Sequence, residues 1–215
     1  AGVQVCDSTA GGSFASGAEE PDCTGFVAHC GPGVVHASTL LEQLAGGVGA
    51  AFNIPPMQLV PLTQLMQLRR FPRPDEVVCL QRGELAAIAG QMAEGQARVV
   101  FVSHTWPHPP VFPDTPDHSQ AACLLEHLRT LVDCDRVYLF IDCSCTAPLL
   151  PAGSGTVSPL RRSQLLALPV YLRCASDFVC ILESDGRPGP WCRYELQNFS
   201  TVRIPSNRIA PSAIS

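Results

Sequence analysis

Residues 98–103, RVVFVS, contain a continuous apolar run that is typical of a buried strand. Two further runs of β-branched and aromatic residues follow, RVYLFID at 136–142 and FVCIL at 178–182. A strand that is covered on both faces, as in a parallel sheet, is apolar throughout instead of alternating with polar residues. The sequence therefore predicts a set of buried parallel strands at these positions.

Amphipathic helices are predicted between and after these strands, at 117–132, 162–175 and 191–199. Thr115 is placed to cap the first helix, with Pro116 in its opening turn. Pro169 should kink the second helix or mark its effective start. Strands that alternate with helices indicate an α/β fold, a parallel sheet with helices on both faces.

The chain divides into four predicted regions. Residues 1–35 are rich in Gly, Ala, Ser and Thr without a clear period, which is typical of an extended arm or loop. Residues 36–97 are read as a helical extension, with short helices at 38–51, 62–70 and 84–94. Residues 98–199 form the α/β domain, and 200–215 a C-terminal tail.

Charge and composition exclude several classes of function. All 14 cationic residues are arginine, and the net charge of the 215-residue chain is −5. Without a clustered positive surface, no nucleic-acid partner is expected. A chain without lysine has no Schiff-base lysine and no GK[ST] phosphate loop. The same composition indicates a GC-rich source, and no run reaches the roughly 18 apolar residues of a membrane span.

The chain has 11 cysteines, an odd number, and many lie in apolar runs such as AACLL around Cys123 and FVCIL around Cys180. Free cysteine behaves as a small buried hydrophobe, so these positions predict reduced thiols in a reducing compartment, the cytoplasm in the first place. Cys6, Cys23 and Cys30 lie in a polar context and could be exceptions.

Polar residues collect where the predicted strands end, which is where parallel sheets bind their ligands. The first strand delivers Ser103, His104 and Trp106, and the second delivers Asp142. The helix after the third strand carries Glu195. His104 and Asp142 also have structural interpretations, as a hydrogen-bonded histidine and a loop cap.

The segment at 189–196, GPWCRYEL, resembles the WCxxEL signature of TIR (Toll/interleukin-1 receptor) domains. The FVSH sequence that ends the first strand is similar to the start of such domains, and the order of elements agrees over about 98–199. The resemblance implies a flavodoxin-like, TIR-like fold that acts in protein assembly or signalling, with protein partners or self-association. An arginine-aspartate-proline-glycine box is lacking, and only 16 residues follow Phe199. The remaining strands would have to come from 36–97 or from another chain, or be missing.

In TIR domains that cleave NAD, the catalytic glutamate corresponds to Glu195. The resemblance thus implies NAD as a substrate, without a further cofactor. One carboxylate suffices because the nicotinamide leaving group already carries a positive charge, so only the ribosyl cation needs stabilising. Ser103, His104, Trp106, Asp142 and Trp191 are the candidate substrate-binding residues, although the resemblance to TIR folds favours a core position for Trp191.

Other interpretations stay open from sequence alone. Glu195 could be a solvated helix residue or pair with Arg193 or Arg203, which would remove its catalytic role. A zinc site of His104, His108 and His118 with Cys143 or Cys145 matches no standard ligand spacing, so no metal is predicted. A non-catalytic structural subunit of a large assembly is the alternative to a catalytic TIR-like domain.

Overall fold

The computed structural model describes residues 4–7, 25–30, 34–78, 80–106, 114, 118–131, 136–148, 157–182 and 189–202. Within these ranges the chain forms one mixed sheet with strand order β1-β2-β6-β4-β5-β3. The strands are β1 (Gln4–Asp7), β2 (Gly25–Cys30), β3 (Val60–Pro61), β4 (Arg98–Ser103), β5 (Val137–Ile141) and β6 (Asp177–Ile181).

The centre of the sheet consists of the predicted parallel strands. β4 pairs in parallel with β5 on one side and with β6 on the other. Numbered along the chain, these three strands lie side by side in the order second, first, third. The opening strands of a flavodoxin-like sheet have the same order. β6 is buried at every residue, and β4 is buried except at Arg98. The continuous apolar runs therefore identified the central strands correctly.

Helices cover both faces of this sheet. They are α1 (Val34–Ala45), α2 (Val48–Ala51), α3 (Leu62–Leu68), α4 (Arg82–Ala93), α5 (Ser119–Leu131), α6 (Asp142–Cys145), α7 (Pro159–Cys174) and α8 (Pro190–Val202). The connections from β4 to β5 and from β5 to β6 run in opposite directions across the sheet. Because such crossovers are right-handed, α5 and α7 lie on opposite faces. In agreement, α7 packs against α1 and α8, whereas α5 packs against α3.

Both edges of the sheet are antiparallel and come from the N-terminal part of the chain. β3 pairs with β5, and β2 pairs with β6 and with β1. The prediction of 1–35 as an arm or loop is therefore wrong for β1 and β2. These strands are short and lie between Gly- and Ser-rich segments, which hide their apolar character. They occupy the edge beside β6, and no later strand lies within the described ranges.

The helices of 36–97 belong to the same core as the sheet. Leu41 of α1, Leu65 of α3 and Leu85 of α4 are all fully buried in one cluster with the strands. α1 and α2 are separated at Gly47, whose φ of 90° suits glycine. The predicted helical extension thus has the expected helices, and it forms part of the domain.

Two details of the later helices differ from the sequence prediction. α5 begins at Ser119, and its first N–H groups, of Gln120 and Ala121, donate to the Asp114 carboxylate. Thr115 and Pro116 lie outside the described residues. α7 begins at Pro159 and continues through Pro169, so that proline does not start the helix.

Five cysteines of the described ranges are buried free thiols, as predicted. They are Cys143, Cys145, Cys174, Cys180 and Cys192. Cys123 is disulfide-bonded, so the prediction of a free thiol is wrong there. No helix in the described ranges is long and apolar enough to cross a membrane.

Candidate functional site

Four predicted residues meet at the carboxyl ends of the central strands. Ser103 ends β4 and His104 follows it, Asp142 follows β5, and Glu195 reaches them from α8. We call these four residues the strand-tip site. In it, Ser103 contacts Glu195, and His104 contacts Asp142.

Glu195 is 1% exposed although it is a glutamate on a helix. It lies on the same face of α8 as Cys192 and Phe199, which are also buried and follow the i, i+3, i+7 spacing. Its Oε2 accepts a hydrogen bond of 2.5 Å from the Ser103 hydroxyl. Its Oε1 is buried and has no hydrogen-bond partner among the described residues. No ion pair with Arg193 forms, and Arg203 lies outside the described ranges.

This environment changes the acidity of Glu195. Burial raises the pKa of its carboxyl from 4.5 to about 8, while the Ser103 hydrogen bond opposes the rise. The negative charge of Asp142 adds to the rise. At neutral pH the free protein therefore holds Glu195 mostly as the neutral acid, a perturbation typical of functional sites.

His104 is held at both ring nitrogens. Nδ1 lies 3.1 Å from Gln120 Oε1, and Nε2 lies 3.1 Å from Asp142 Oδ1. The Gln120 amide donates its Nε2 to the Thr105 carbonyl, which orients its oxygen towards the ring. Both partners of His104 are therefore acceptors, so both ring nitrogens carry protons and the ring is an imidazolium.

The charges of this pair agree with its geometry. Burial alone would lower the pKa of His104, but the Asp142 carboxylate reverses this and raises it well above the ordinary value. Burial alone would raise the pKa of Asp142, but the His104 contact and the Cys143 N–H lower it. The ring of Phe71 packs 4.8 Å from the imidazole centroid. His104 and Asp142 thus form a buried ion pair.

Trp106 lies near Asp142 of the strand-tip site. Its side chain lowers the pKa of the Asp142 carboxyl, and its ring lies 5.9 Å from the guanidinium carbon of Arg161. Arg161 is buried in the first turns of α7 and donates to the Thr146 hydroxyl and the Ala147 carbonyl. Trp106 therefore links the strand-tip site to a buried cation.

Trp191 does not belong to this group. It is 45% exposed on α8 and stacks beside Tyr194 with ring centroids 5.8 Å apart. Because Cys192 and Glu195 face inward, the residues before them, Trp191 and Tyr194, face outward. The interpretation of Trp191 as a core residue is thus wrong, and its assignment to substrate binding stays a prediction.

The zinc set considered from sequence is not assembled by the described residues. His104, Asp142 and Cys143 place their ligand atoms within 4.8 Å of one another. His118, by contrast, is exposed and lies 4.0 Å from Asp114, and the Cys145 thiol is directed to the backbone of β5. His108 lies outside the described ranges.

Sequence reasoning missed two members of the surrounding group, Gln120 and Arg161. Each lies at the start of the helix that follows a strand end, a position that faces the ligand crevice of an α/β sheet. That positional rule could have found both residues. It would not have given their partners, which depend on how α5 and α7 pack.

No protein-family model, curated protein or solved structure matches the chain. What the chain does has to be inferred from the chemistry of the strand-tip groups, above all from Glu195 with its unpartnered oxygen.

Proposed function

We propose that the chain is a TIR-like NAD glycohydrolase in which Glu195 stabilises the ribosyl cation. The observation that carries this proposal is the buried carboxyl of Glu195, which has one hydrogen bond through Oε2 and an Oε1 without a partner in the described ranges. Buried polar atoms are nearly always satisfied, so an unsatisfied carboxyl oxygen at the ligand-binding edge of a sheet indicates a partner supplied by the substrate.

The proposed reaction breaks the bond between the ribose C1′ and the nicotinamide nitrogen. The electron pair of that bond neutralises the pyridinium, so nicotinamide leaves without needing a proton. Positive charge develops on the ribosyl ring, and water then adds to C1′ and loses a proton to give ADP-ribose. A single carboxylate beside the ring stabilises this cation, and a water-poor site strengthens the interaction.

Glu195 must be ionised to play this part. In the free protein burial raises its pKa to about 8, so the active form is a minority at neutral pH. The positive charge of nicotinamide-ribose favours the ionised form and lowers this pKa on binding. Because kcat/KM reports the free enzyme, we expect it to rise with pH and to level off above about 8.

His104 and Asp142 are assigned to positioning. Both nitrogens of His104 already donate, so the ring has no lone pair with which to accept a proton. The ion pair instead fixes the end of β4, where Ser103 holds Glu195 Oε2. Ser103 in turn orients the carboxyl so that Oε1 is left for the substrate.

Nicotinamide release from NAD tests the proposal, measured at low and high protein concentration for the wild-type chain and Glu195→Gln. We expect turnover that falls at least about a hundredfold in the variant, the size typical for losing one electrostatic stabiliser. Glu126→Gln is a matched control, an exposed glutamate on α5. Absence of turnover from the folded wild-type chain at every concentration would contradict the proposal and favour the non-catalytic structural subunit.

A second candidate function, assembly through self-association, is favoured by one surface of α7. Val157, which precedes α7, and Leu166 of α7 are 51 and 75% exposed. Val157, Arg162, Leu165 and Leu166 line an open groove of about 460 Å³. Apolar residues gathered on one exposed surface are typical of protein contact sites.

Sedimentation velocity over a range of concentrations tests this second candidate. If α7 mediates self-association, Leu166→Glu will abolish the oligomer, whereas Phe52→Glu, at a position 72% exposed outside α7, will leave it intact. A wild-type chain that stays monomeric at all concentrations would rule out self-association by this surface.

A further inference from the structure

Arg161 is the one arginine in the buried class among those that the structure describes. It is 6% exposed, in the first turns of α7, and no carboxylate of the described ranges forms an ion pair with it. Burial of a cation is costly unless hydrogen bonds and opposite charge compensate for it. An arginine in such a position needs an explanation.

The hydrogen bonds of Arg161 use only part of its guanidinium. Nη1 donates to Thr146 Oγ1 at 2.8 Å and to the Ala147 carbonyl at 2.6 Å, which uses both of its hydrogens. Nε and Nη2 make no hydrogen bond within the described part of the chain. Since guanidinium has five N–H donors, three of them have no hydrogen-bond partner among the described residues and can serve a ligand.

The orientation of this cation is fixed before any ligand arrives. Thr146 donates its own hydroxyl to the Asp142 carbonyl, so its oxygen is positioned to accept from Arg161. The Trp106 ring lies on another side of the guanidinium, 5.9 Å from its carbon to the ring centroid. A held guanidinium loses little freedom on binding, which favours a ligand that it contacts through two donors at once.

The Asp142 carboxylate acts on two buried cations. It forms the ion pair with His104, and its negative charge raises the pKa of Arg161 against the lowering effect of burial. One carboxylate thus faces two cations in this part of the described residues. A buried cation that is only partly compensated attracts an anion more strongly than the same charge would in water.

We infer that Arg161 binds the diphosphate of the dinucleotide substrate and makes the site specific for dinucleotides over nicotinamide ribosides. This inference rests on the proposed function for the nicotinamide half of the ligand. Arg161 follows β5 and Glu195 follows β6, so they flank the β4 tip from opposite sides. A dinucleotide that binds across the β4 tip has its ribose at Glu195 and its phosphates at Arg161.

The guanidinium suits this ligand chemically. Two parallel N–H groups of arginine match two oxygens of a phosphate, and such charge-assisted pairs are about twice as strong as neutral hydrogen bonds. A nicotinamide riboside presents the same bond to Glu195 but no phosphate to Arg161. Removal of Arg161 should therefore weaken the dinucleotide reaction and leave the riboside reaction unchanged.

The kinetic test compares kcat/KM for NAD and for nicotinamide riboside in the wild-type chain, Arg161→Gln and Arg161→Lys. We expect Arg161→Gln to lower the value for NAD by about 10- to 100-fold, the loss expected for hydrogen bonds to a charged group, with the value for riboside unchanged. Arg161→Lys keeps the charge without the two-donor geometry, so its loss should be intermediate. Arg173→Gln, at an exposed arginine in the last turn of the same helix, is the control and should change neither value.

A binding measurement separates this inference from the proposed activity. Calorimetric titration with ADP-ribose and with adenosine needs no turnover. We expect Arg161→Gln to weaken the binding of ADP-ribose by about 10- to 100-fold and to leave the binding of adenosine unchanged. If NAD is not cleaved but ADP-ribose binding depends on Arg161, the proposed function fails and this inference stands.

Two outcomes would overturn the assignment of Arg161. One is equal ADP-ribose affinity in the wild-type chain and in folded Arg161→Gln, or in Arg161→Lys if the glutamine variant does not fold. The other is an equal loss of NAD and riboside cleavage, which would assign Arg161 to holding the loop at Thr146 and Ala147 and to no contact with phosphate.

Discussion

Two carboxyls occupy the same edge of the sheet, and their surroundings differ. Asp142 contacts a buried imidazolium and accepts the Cys143 N–H at 2.6 Å, which together keep its pKa below the ordinary value in spite of burial. Glu195 has the Ser103 hydroxyl and, among the described residues, no cation within hydrogen-bond distance, and burial raises its pKa to about 8.

The difference between these carboxyls separates structural from chemical roles. Opposite pKa shifts in neighbouring acids are a common arrangement where one acid is kept ionised and the other is free to change its charge. Asp142 is satisfied and holds the tips of β4 and β5 in place. Glu195 has one hydrogen-bond partner, Ser103, and an Oε1 without one among the described residues, so its ionisation responds to what binds.

The largest effect on stability is expected when Asp142 loses its negative charge. Asp142→Asn leaves His104 without its anion, so the buried ring must lose its proton or stay charged without compensation. We expect the free energy of unfolding to fall by about 3 to 5 kcal/mol, as for other buried ion pairs that lose one partner. Urea unfolding at neutral pH measures this. A loss below about 1 kcal/mol would show that the ion pair contributes little to the fold.

A somewhat smaller effect comes from the pH dependence of stability on the Glu195 side. The folded-state pKa of about 8 lies above the ordinary 4.5, so folding holds this proton more tightly than the unfolded chain does. The stability linked to Glu195 is therefore fully present at low pH and is lost as pH rises from about 4.5 through 8. Between pH 5 and 8 we expect a loss of about 3 kcal/mol, measured by chemical unfolding.

Glu195→Gln isolates this contribution, because glutamine has nearly the same shape and does not titrate. The variant should lose about 3 kcal/mol less than the wild-type chain over the same pH interval. His104 also titrates, but it does so in both proteins and cancels in the difference. Parallel pH curves for the two proteins would mean that Glu195 is ionised throughout and solvated.

The fold could be predicted where side-chain pattern and burial coincide. The bounds of β4 agree with the apolar run at 98–103, and the helices around it follow from apolar spacing. β2 could not be found, because the reason for its position is the free edge of β6 and not its own composition. β3 has only two residues and carries no pattern of its own.

The candidate site was predictable to the level of strand ends and no further. Ser103, His104 and Asp142 follow from the rule that ligands bind beyond the carboxyl ends of parallel strands. Their pairing does not, because whether His104 contacts Asp142 or Glu195 depends on side-chain geometry. Trp191 was misplaced because the motif gave no helix register, which the burial of Cys192 and Glu195 supplies.

Ser103→Ala removes the hydrogen bond that favours ionised Glu195. Such a bond contributes about 1 kcal/mol, so the pKa of Glu195 should rise by about 0.7 units. We expect the rise of kcat/KM for NAD with pH to move to higher pH by the same amount. An unchanged profile would show that Ser103 does not influence the ionisation of Glu195.

The smallest effect is expected for Trp191→Ala. Because this side chain is 45% exposed beside Tyr194, we expect a loss of less than about 1 kcal/mol in stability and no change in kcat/KM for NAD. Cys192→Ser, one residue further along at a fully buried position, gives the contrast and should cost more. A loss of turnover in Trp191→Ala at unchanged stability would restore this residue to the binding site.

The most direct test of the account is the ionisation of Glu195 in the free protein. Infrared difference spectra between the wild-type chain and Glu195→Gln report the C=O stretch of a neutral carboxyl as a function of pH. We expect a buried neutral-acid band at pH 6 that disappears with a midpoint near 8. A midpoint near the ordinary 4.5 would show a solvated carboxylate and would contradict the distinction between the two acids on which the proposed function depends.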